Sequence, residues 1–465
     1  MDGTAGSGIN LDNVISAENL GSSEYKKTYN VRYAYYTGSM YRGIASKELV
    51  IRMSQAGLMS FYGSAGLSLD QIEQDITAIQ AALKPGSSYG VNLIHNMEDP
   101  NFEMQTVKLF IEKGICFVEA AAFMQVSSAL VFFKLHGISK GDRNQNKIIA
   151  KISRPEVATS FMSPAPKKII QELLEQNLIN SEQAEWAKNN PICDDVTVEA
   201  DSGGHTDQGI STVMLPTIIR LRDELMAKYQ YKAKIRVGLA GGLGTPEAIA
   251  AAFIMGADYV STGSINQCTP ESGITDIVKD MLQDINIQDT DYAPAGDMFE
   301  IGARVQVLKK GVFFPARANR LFMLYNHYDS LEELPEKIKT QLQSQYFKKS
   351  FDDIFTETTE YFQKIGKYDL IEKAHRDSKH KMALVFRWYF GHSVRLAFEG
   401  DEAKRVNFQV HTGPALGAFN QWVKGTELEN WRNRHVDTIA EKLMTTTAEL
   451  INQKITNLQS SSNQG

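Results

Sequence analysis

The chain is poor in cysteine: it has three, Cys116, Cys193 and Cys268, far apart and without a C-x-x-C pair. That argues against a disulfide framework and a thiolate metal site, and leaves reduced structural thiols as the reading. The nine histidines show no metal-ligand spacing. No run of about 18 apolar residues occurs, so no membrane-spanning helix is expected. An excess of positive charge is missing as well. A net charge of -6 gives no broad basic field for nucleic acid or an anionic membrane, so neither is expected as a partner. The opening "MDGTAGSGINLDNVISAENLGSSEYKK" lacks the apolar core of a signal peptide. We therefore expect a cytoplasmic protein, with residues 1–30 a flexible leader and the polar residues 459–465 a disordered tail.

What is present is a 43% hydrophobic chain of 465 residues, long enough for more than one core. From residue 31 to 264 a short apolar run, a small-residue loop and an amphipathic segment recur. The apolar runs are "VRYAYYT", "LMSFYG", "SYGVNLI", "ICFVEAA", "KIIAKIS", "DVTVEAD", "KIRVGLA" and "ADYVSTG". Near-continuous apolar runs are what strands buried on both faces look like. Between them, Asp99-Pro100 and Thr245-Pro246 read as helix starts, and Gly57, Gly114 and Gly256 as helix ends. Eight strand–helix repeats predict an α/β fold, a (β/α)8 TIM barrel over residues 31–270. After 270 the rhythm stops. Residues 271–406 read as an added C-terminal helical domain over the barrel mouth, a substrate lid, and residues 407–458 as a segment returning to supply the eighth outer helix.

This register locates the chemistry. Barrel active sites lie at the C-terminal ends of the strands, and a phosphate site commonly lies in the last two loops. Here those loops are "AGGLGTPE" and "TGSINQ", whose Gly241, Gly242 and Gly263 leave backbone amides unobstructed near a helix start. The competing reading of these glycines is ordinary tight turns. "GLAGGLG" has the wrong spacing for a dinucleotide fingerprint, which removes a Rossmann domain. The other strand ends carry Met40, Asn92, Lys151, Ser202 and His205, a mixture suited to a planar hydrogen-bonding ring with a cation near the position that turns negative on reduction. Flavin mononucleotide (FMN) fits that description. Lys151 is the candidate for stabilising the reduced ring, against the alternative of a lysine reaching solvent. His205, beside the pair Gly203 and Gly204, is the candidate acid or base, against a merely satisfied polar group. The glycine pair is expected to let the ring approach the backbone. No chemistry is assigned to His411 or to the other C-terminal histidines.

"GSMYRGIAS", "YGVNLIHN", "AKISRPEVA", "VEADSGGHTD", "GLAGGLGTPEAIAAAFIMGADYVSTGSINQ" and "APAGDMFEIGARVQVLKKGVFFPARAN" together resemble the trans-acting enoyl reductases of polyketide and polyunsaturated fatty-acid synthases. These belong to a wider group of flavin barrels that includes nitronate monooxygenases. The resemblance implies bound FMN, NADPH as co-substrate, and an enoyl thioester on an acyl carrier protein of a polyketide or fatty-acid assembly line. Carried over by motif, flavin contacts fall on Gly38, Met40, Asn92, Lys151, Ser202, Gly203, Gly204, Gly241, Gly242, Gly263 and Ser264. His205 takes the place near the flavin's reactive edge, and Ala121 stands where a serine would be expected. Lys309, Lys310, Arg317 and Arg320 form a local basic group that would suit an acidic carrier protein, or else a solvated helix face. Two other functions remain open, a nitronate monooxygenase-type oxidase and a non-catalytic docking subunit.

Overall fold

The computed structural model describes residues 14–97, 99–139 and 143–462. Eight parallel strands close into a barrel: β1 (Tyr35–Thr37), β2 (Met59–Tyr62), β3 (Gly90–Ile94), β4 (Phe117–Ala121), β5 (Lys147–Ile152), β6 (Asp195–Glu199), β7 (Arg236–Ala240) and β8 (Val260–Thr262). β1 closes the ring by pairing with both β2 and β8, in the register Tyr35 to Val260 and Tyr36 to Met59. Each strand falls within one of the eight apolar runs. The fold is a (β/α)8 barrel with an added C-terminal helical domain.

The lower half of the barrel interior is filled by rings. Tyr25, Tyr29, Tyr36, Phe61 and Tyr259 form one buried cluster. Tyr259 needs the absence of a side chain at Gly238, where a Cβ would sit 2.3 Å from the ring. Tyr25 and Tyr29 come from α1 (Ser23–Tyr29), capped by Ser22, which plugs the N-terminal end of the barrel. This corrects the leader reading for residues 17–30: tyrosines one helical turn apart on an otherwise polar segment are fully buried there. Residues 1–13 and 463–465 of the expected leader and tail lie outside the described residues.

α2 (Pro246–Ile254) follows β7, with Thr245 as its cap and proline in its first turn. Beyond β8 the helical domain is present, and the structure adds to it a small sheet that the sequence reading did not include. Strands Thr290–Pro294 and Arg304–Leu308 form an antiparallel hairpin, and Arg304–Leu308 also pairs with Gly204–Thr206 from the loop after β6. The partner strand lies about a hundred residues upstream, so no local pattern announces the sheet. α3 (Phe314–His327) and α4 (Ser378–Glu399) then build a separate aromatic core around Phe299, Phe347, Phe386 and Phe390. The chain returns through α5 (Pro414–Trp422) to α6 (Val436–Ser462). α6 packs against both α2 and the helix Lys47–Gln55, the seventh and first outer helices of the barrel. Arg52 Nε bonds Asp437 at 2.6 Å across that seam. The inserted unit therefore lies within the last βα repeat. Among the described residues no helix is long and apolar enough to cross a membrane.

Candidate active site

The C-terminal rims of β1, β5, β6, β7 and β8 enclose a cavity of about 430 Å³. Of the residues singled out from sequence, Gly38, Met40, Lys151, Ser202, Gly203, Gly241, Gly242, Gly263 and Ser264 all line it. Asn92 does not reach it; buried on β3, its amide donates to the Glu119 carbonyl oxygen at 3.2 Å. Gly204 and His205 stand outside the lining. A second cavity, of about 450 Å³, lies at the opposite end of the barrel between α1 and the loops around Lys84 and Cys116, away from every one of these residues.

Part of the cavity wall is made of glycines and a helix start. At Gly242 and Gly263 an added Cβ would meet nothing within 4 Å, so both leave open space where a side chain would stand. Gly241, at φ +88°, is fixed by its approach to the Ala200 carbonyl. The sequence reading missed a third wall, Gly413–Ala415 at the start of α5. A second helix N-terminus therefore borders the same space, where its unpaired amides and positive end favour negative charge. Gln267 lines the cavity as well, with its Oε1 buried and without a partner among the described residues. The signal for the third wall was a glycine followed by proline at a helix start, the same local chemistry as in "GTPE".

That wall also changes the reason for the glycine pair. A Cβ on Gly203 would lie 2.7 Å from the Thr412 backbone, and one on Gly204, at φ +88°, would touch the His411 ring. At Gly203 the close neighbour that forbids a side chain is therefore the C-terminal loop, and at Gly204 it is the left-handed backbone that disfavours one.

At the cavity floor Lys151 is a paired cation. Its ammonium lies 2.9 Å from Glu199. Burial opposes the lysine's charge, but Glu199 and Glu119 outweigh it and hold the ammonium above its ordinary pKa. Glu119 is fully buried, bonded by the Ser39 amide at 3.1 Å and by the Ser39 hydroxyl. Burial pushes its carboxyl up despite Lys151, and its Oε1 has no partner among the described residues. An ammonium has three donors, so pairing with Glu199 leaves Lys151 others to offer.

His205 lies at the rim with its Nε2 2.9 Å from Asp297 Oδ1, and its ring is 6.4 Å from that of His411. His411 bonds Gln409 at 2.9 Å. Burial, helped by His205, pushes its pKa down to about 3, so it stays neutral. Neither Asp297 nor His411 was singled out from sequence. The three thiols are unpaired, and burial pushes Cys268 up to about 12, which makes it a poor nucleophile.

The basic group is not one free patch. Lys309 and Lys310 are exposed, with Lys310 donating to the Asp284 carbonyl at 2.5 Å. Arg317 and Arg320 are spent inside the inserted unit, both over Tyr346 and bonded to Asn407 and Gln341 respectively. Planar guanidinium groups stack readily on rings, which a linear reading of charge does not register.

Residues 25–309 match the nitronate monooxygenase family, and residues 328–408 match the inserted helical domain of [acyl-carrier-protein] S-malonyltransferase. The chain is 53% identical, over 96% of its length, to polyketide biosynthesis protein PksE of Bacillus subtilis, and spans 58% of that protein. It is 42% identical, over 88% of its length, to one of the polyunsaturated fatty acid synthase subunits of Thraustochytrium sp., and spans 28% of it. Both relatives are thus substantially longer than this chain. Among solved structures, the enoyl reductase domain of MlnA from the macrolactin biosynthesis cluster of Bacillus amyloliquefaciens superposes with a TM-score of 0.90 at 46% identity. That likeness covers 95% of this chain and 99% of that one.

Proposed function

Because the chain belongs to the enoyl reductases of polyketide and polyunsaturated fatty-acid synthases, within the nitronate monooxygenase group of flavin barrels, we propose that it is an FMN-dependent, trans-acting enoyl-acyl-carrier-protein reductase using NADPH. The observation that carries this reading is one cavity lined by the glycines of the β7 and β8 loops and by Lys151, with His205 two residues beyond the lining residue Gly203. The residues fit a flavin phosphate: Gly242 and Gly263 leave room at the loops of β7 and β8, and the start of α5 faces them. Lys151 and Gln267, whose Oε1 has no partner among the described residues, would supply polar contacts for the rest of the group. When bound, the flavin carries a hydride equivalent from NADPH to the β-carbon of the enoyl thioester.

The chain's own residues do the remaining work. Lys151 offers positive charge where negative charge gathers on reduction; Glu199 holds that lysine in place, and Glu119 helps to keep it charged. His205 donates to the thioester carbonyl or to the α-carbon. Lys309 and Lys310 are the remaining candidates for contact with an acidic carrier protein.

The test uses the purified protein with its yellow absorbance recorded first. NADPH consumption with a crotonyl carrier-protein thioester supports the reading. Oxygen uptake with a nitronate and no thioester turnover replaces it with oxidase chemistry, and a colourless inert protein with a docking role. His205→Ala is expected to keep its flavin and lose roughly 10²-fold or more in thioester kcat, the usual worth of a positioned acid. An unchanged kcat removes His205 from the reaction.

A further inference from the structure

Asp297 belongs to the inserted unit, yet its Oδ1 lies 2.9 Å from Nε2 of His205, a residue of the barrel's β6 loop. Two features hold the pair together. His205 is in the strand that pairs with Arg304–Leu308, opposite Val305. Asp297 is in the turn that closes the hairpin leading into that strand, between Ala295 and Ala303, whose backbones bond at 2.7 Å. Phe299 anchors the turn, fully buried against Phe322, Tyr325 and Phe390. Gly296 lets it pass against α4, where a Cβ would sit 2.7 Å from that of Phe390.

We propose that Asp297 is a positioning residue for His205: its carboxylate binds the imidazole through Nε2, sets the ring's orientation, and leaves the Nδ1–H as the group presented to substrate. This rests on the enoyl reductase reading above. In that reaction the α-carbon of the enolate takes the proton from Nδ1 of the imidazolium, the N–H electron pair stays on the now neutral ring, and a proton from bulk solvent, the one that the reduction consumes, restores the imidazolium. Asp297 stays ionised throughout.

The surrounding charges agree with this role. Partial burial works against a charged His205, but Asp297, with Glu199 farther off, outweighs it and raises the histidine's pKa. His411 faces it from the C-terminal loop as a neutral ring, and Arg387, paired with Glu300 at 3.2 Å, lies near Asp297 on the other side. His205 and Asp297 are 48% and 62% exposed, so the pair adds little to stability. Its effect falls on orientation and proton affinity.

The test compares the holoenzyme with Asp297→Asn and Asp297→Glu. The His205 ring is titrated by NMR with labelled histidine, assigned through His205→Ala, beside the pH profile of kcat for the crotonyl thioester. In Asp297→Asn the His205 titration is expected to move down, because burial then acts without the carboxylate that offsets it. The alkaline limb of kcat should move with it, each unit cutting the imidazolium fraction above it about tenfold. KM for the thioester should change little, and Asp297→Glu should restore part of both shifts. A His205 titration unmoved in Asp297→Asn overturns the pairing, and a moved titration with an unmoved kcat profile overturns the catalytic role. Failure of the unsubstituted enzyme to reduce the thioester, with the titration shift intact, instead overturns the reading on which the proposal rests.

Discussion

Gly203→Val is expected to give a folded protein that purifies without flavin. The new Cβ would lie 2.7 Å from the Cα and carbonyl carbon of Thr412 and 3.1 Å from the Gly413 amide. These are backbone atoms, which no rotamer change can move aside. The neighbouring contacts are equally close: a Cβ on Gly413 would meet Gln306 Oε1 at 2.5 Å, and one on Gly244 would meet the Ala415 carbonyl at 2.1 Å. Gly203, Gly244 and Gly413 are thus interlocked, and displacing one wall displaces the others. Overpacking of this kind costs about 1–3 kcal/mol, well within the roughly 5–15 kcal/mol that keeps a domain folded. The damage therefore falls on Gly413–Ala415, which line the cavity. Thermal unfolding and visible absorbance separate the two effects. Gly391→Ala, on α4 where an added Cβ meets nothing, is the control and should keep both properties. Native flavin content in Gly203→Val would show that the C-terminal loop has no part in holding the cofactor.

The same interlock shows where sequence reading stops. All eight barrel strands could be read because each is buried on both faces, and a buried strand has little freedom in composition. The loops after β7 and β8 followed from the strand count. Residues that act through distant partners could not be found this way. His411 and Gly413 reach the site from two hundred residues beyond Gly203, and Asp297 meets His205 across 92 residues. A local window around "HTGPALG" shows only a loop followed by a helix start. Tyr25 and Tyr29 were hidden differently, because two rings on a short polar helix read as surface until the barrel end they plug is known.

The barrel interior is also divided along its axis, which bears on function. Its lower half is filled with aromatic rings and one closed ion pair. Its upper half, towards the cavity, holds Thr37, Ser60 and Glu119, each with a buried oxygen unpartnered among the described residues. Buried polar atoms are normally satisfied by protein, ordered water or ligand. Their concentration at the cavity end fits a polar floor under the site, and the lower half, where the Tyr25 hydroxyl is also unpartnered among the described residues but rings and an ion pair fill the space, fits a structural support. The two halves should therefore respond separately to substitution.

Asp195→Ala tests the lower half. Asp195, fully buried on β6, sits directly opposite Arg236 on β7. Its carboxylate accepts from Arg236 Nε at 2.5 Å and Nη2 at 2.7 Å, and from the Tyr29 hydroxyl at 2.6 Å. Removing it leaves a buried guanidinium with no counter-charge and a buried phenol with no acceptor. Breaking a buried pair from one side costs about 3–5 kcal/mol, a large share of a typical domain's stability. The midpoint of urea unfolding should fall accordingly, and expression with it. Asp195→Asn, which keeps the shape and an acceptor, should lose less. Replacing both partners, Asp195→Leu with Arg236→Met, should recover much of the loss, because it removes the unpaired charge. Flavin bound per folded molecule should stay at the native level in all three variants, since the cavity lies at the opposite end of the strands. Unfolding midpoints identical to the parent would mean that the pair carries no net stability, and a loss of flavin at unchanged stability would mean that the two ends of the barrel are coupled.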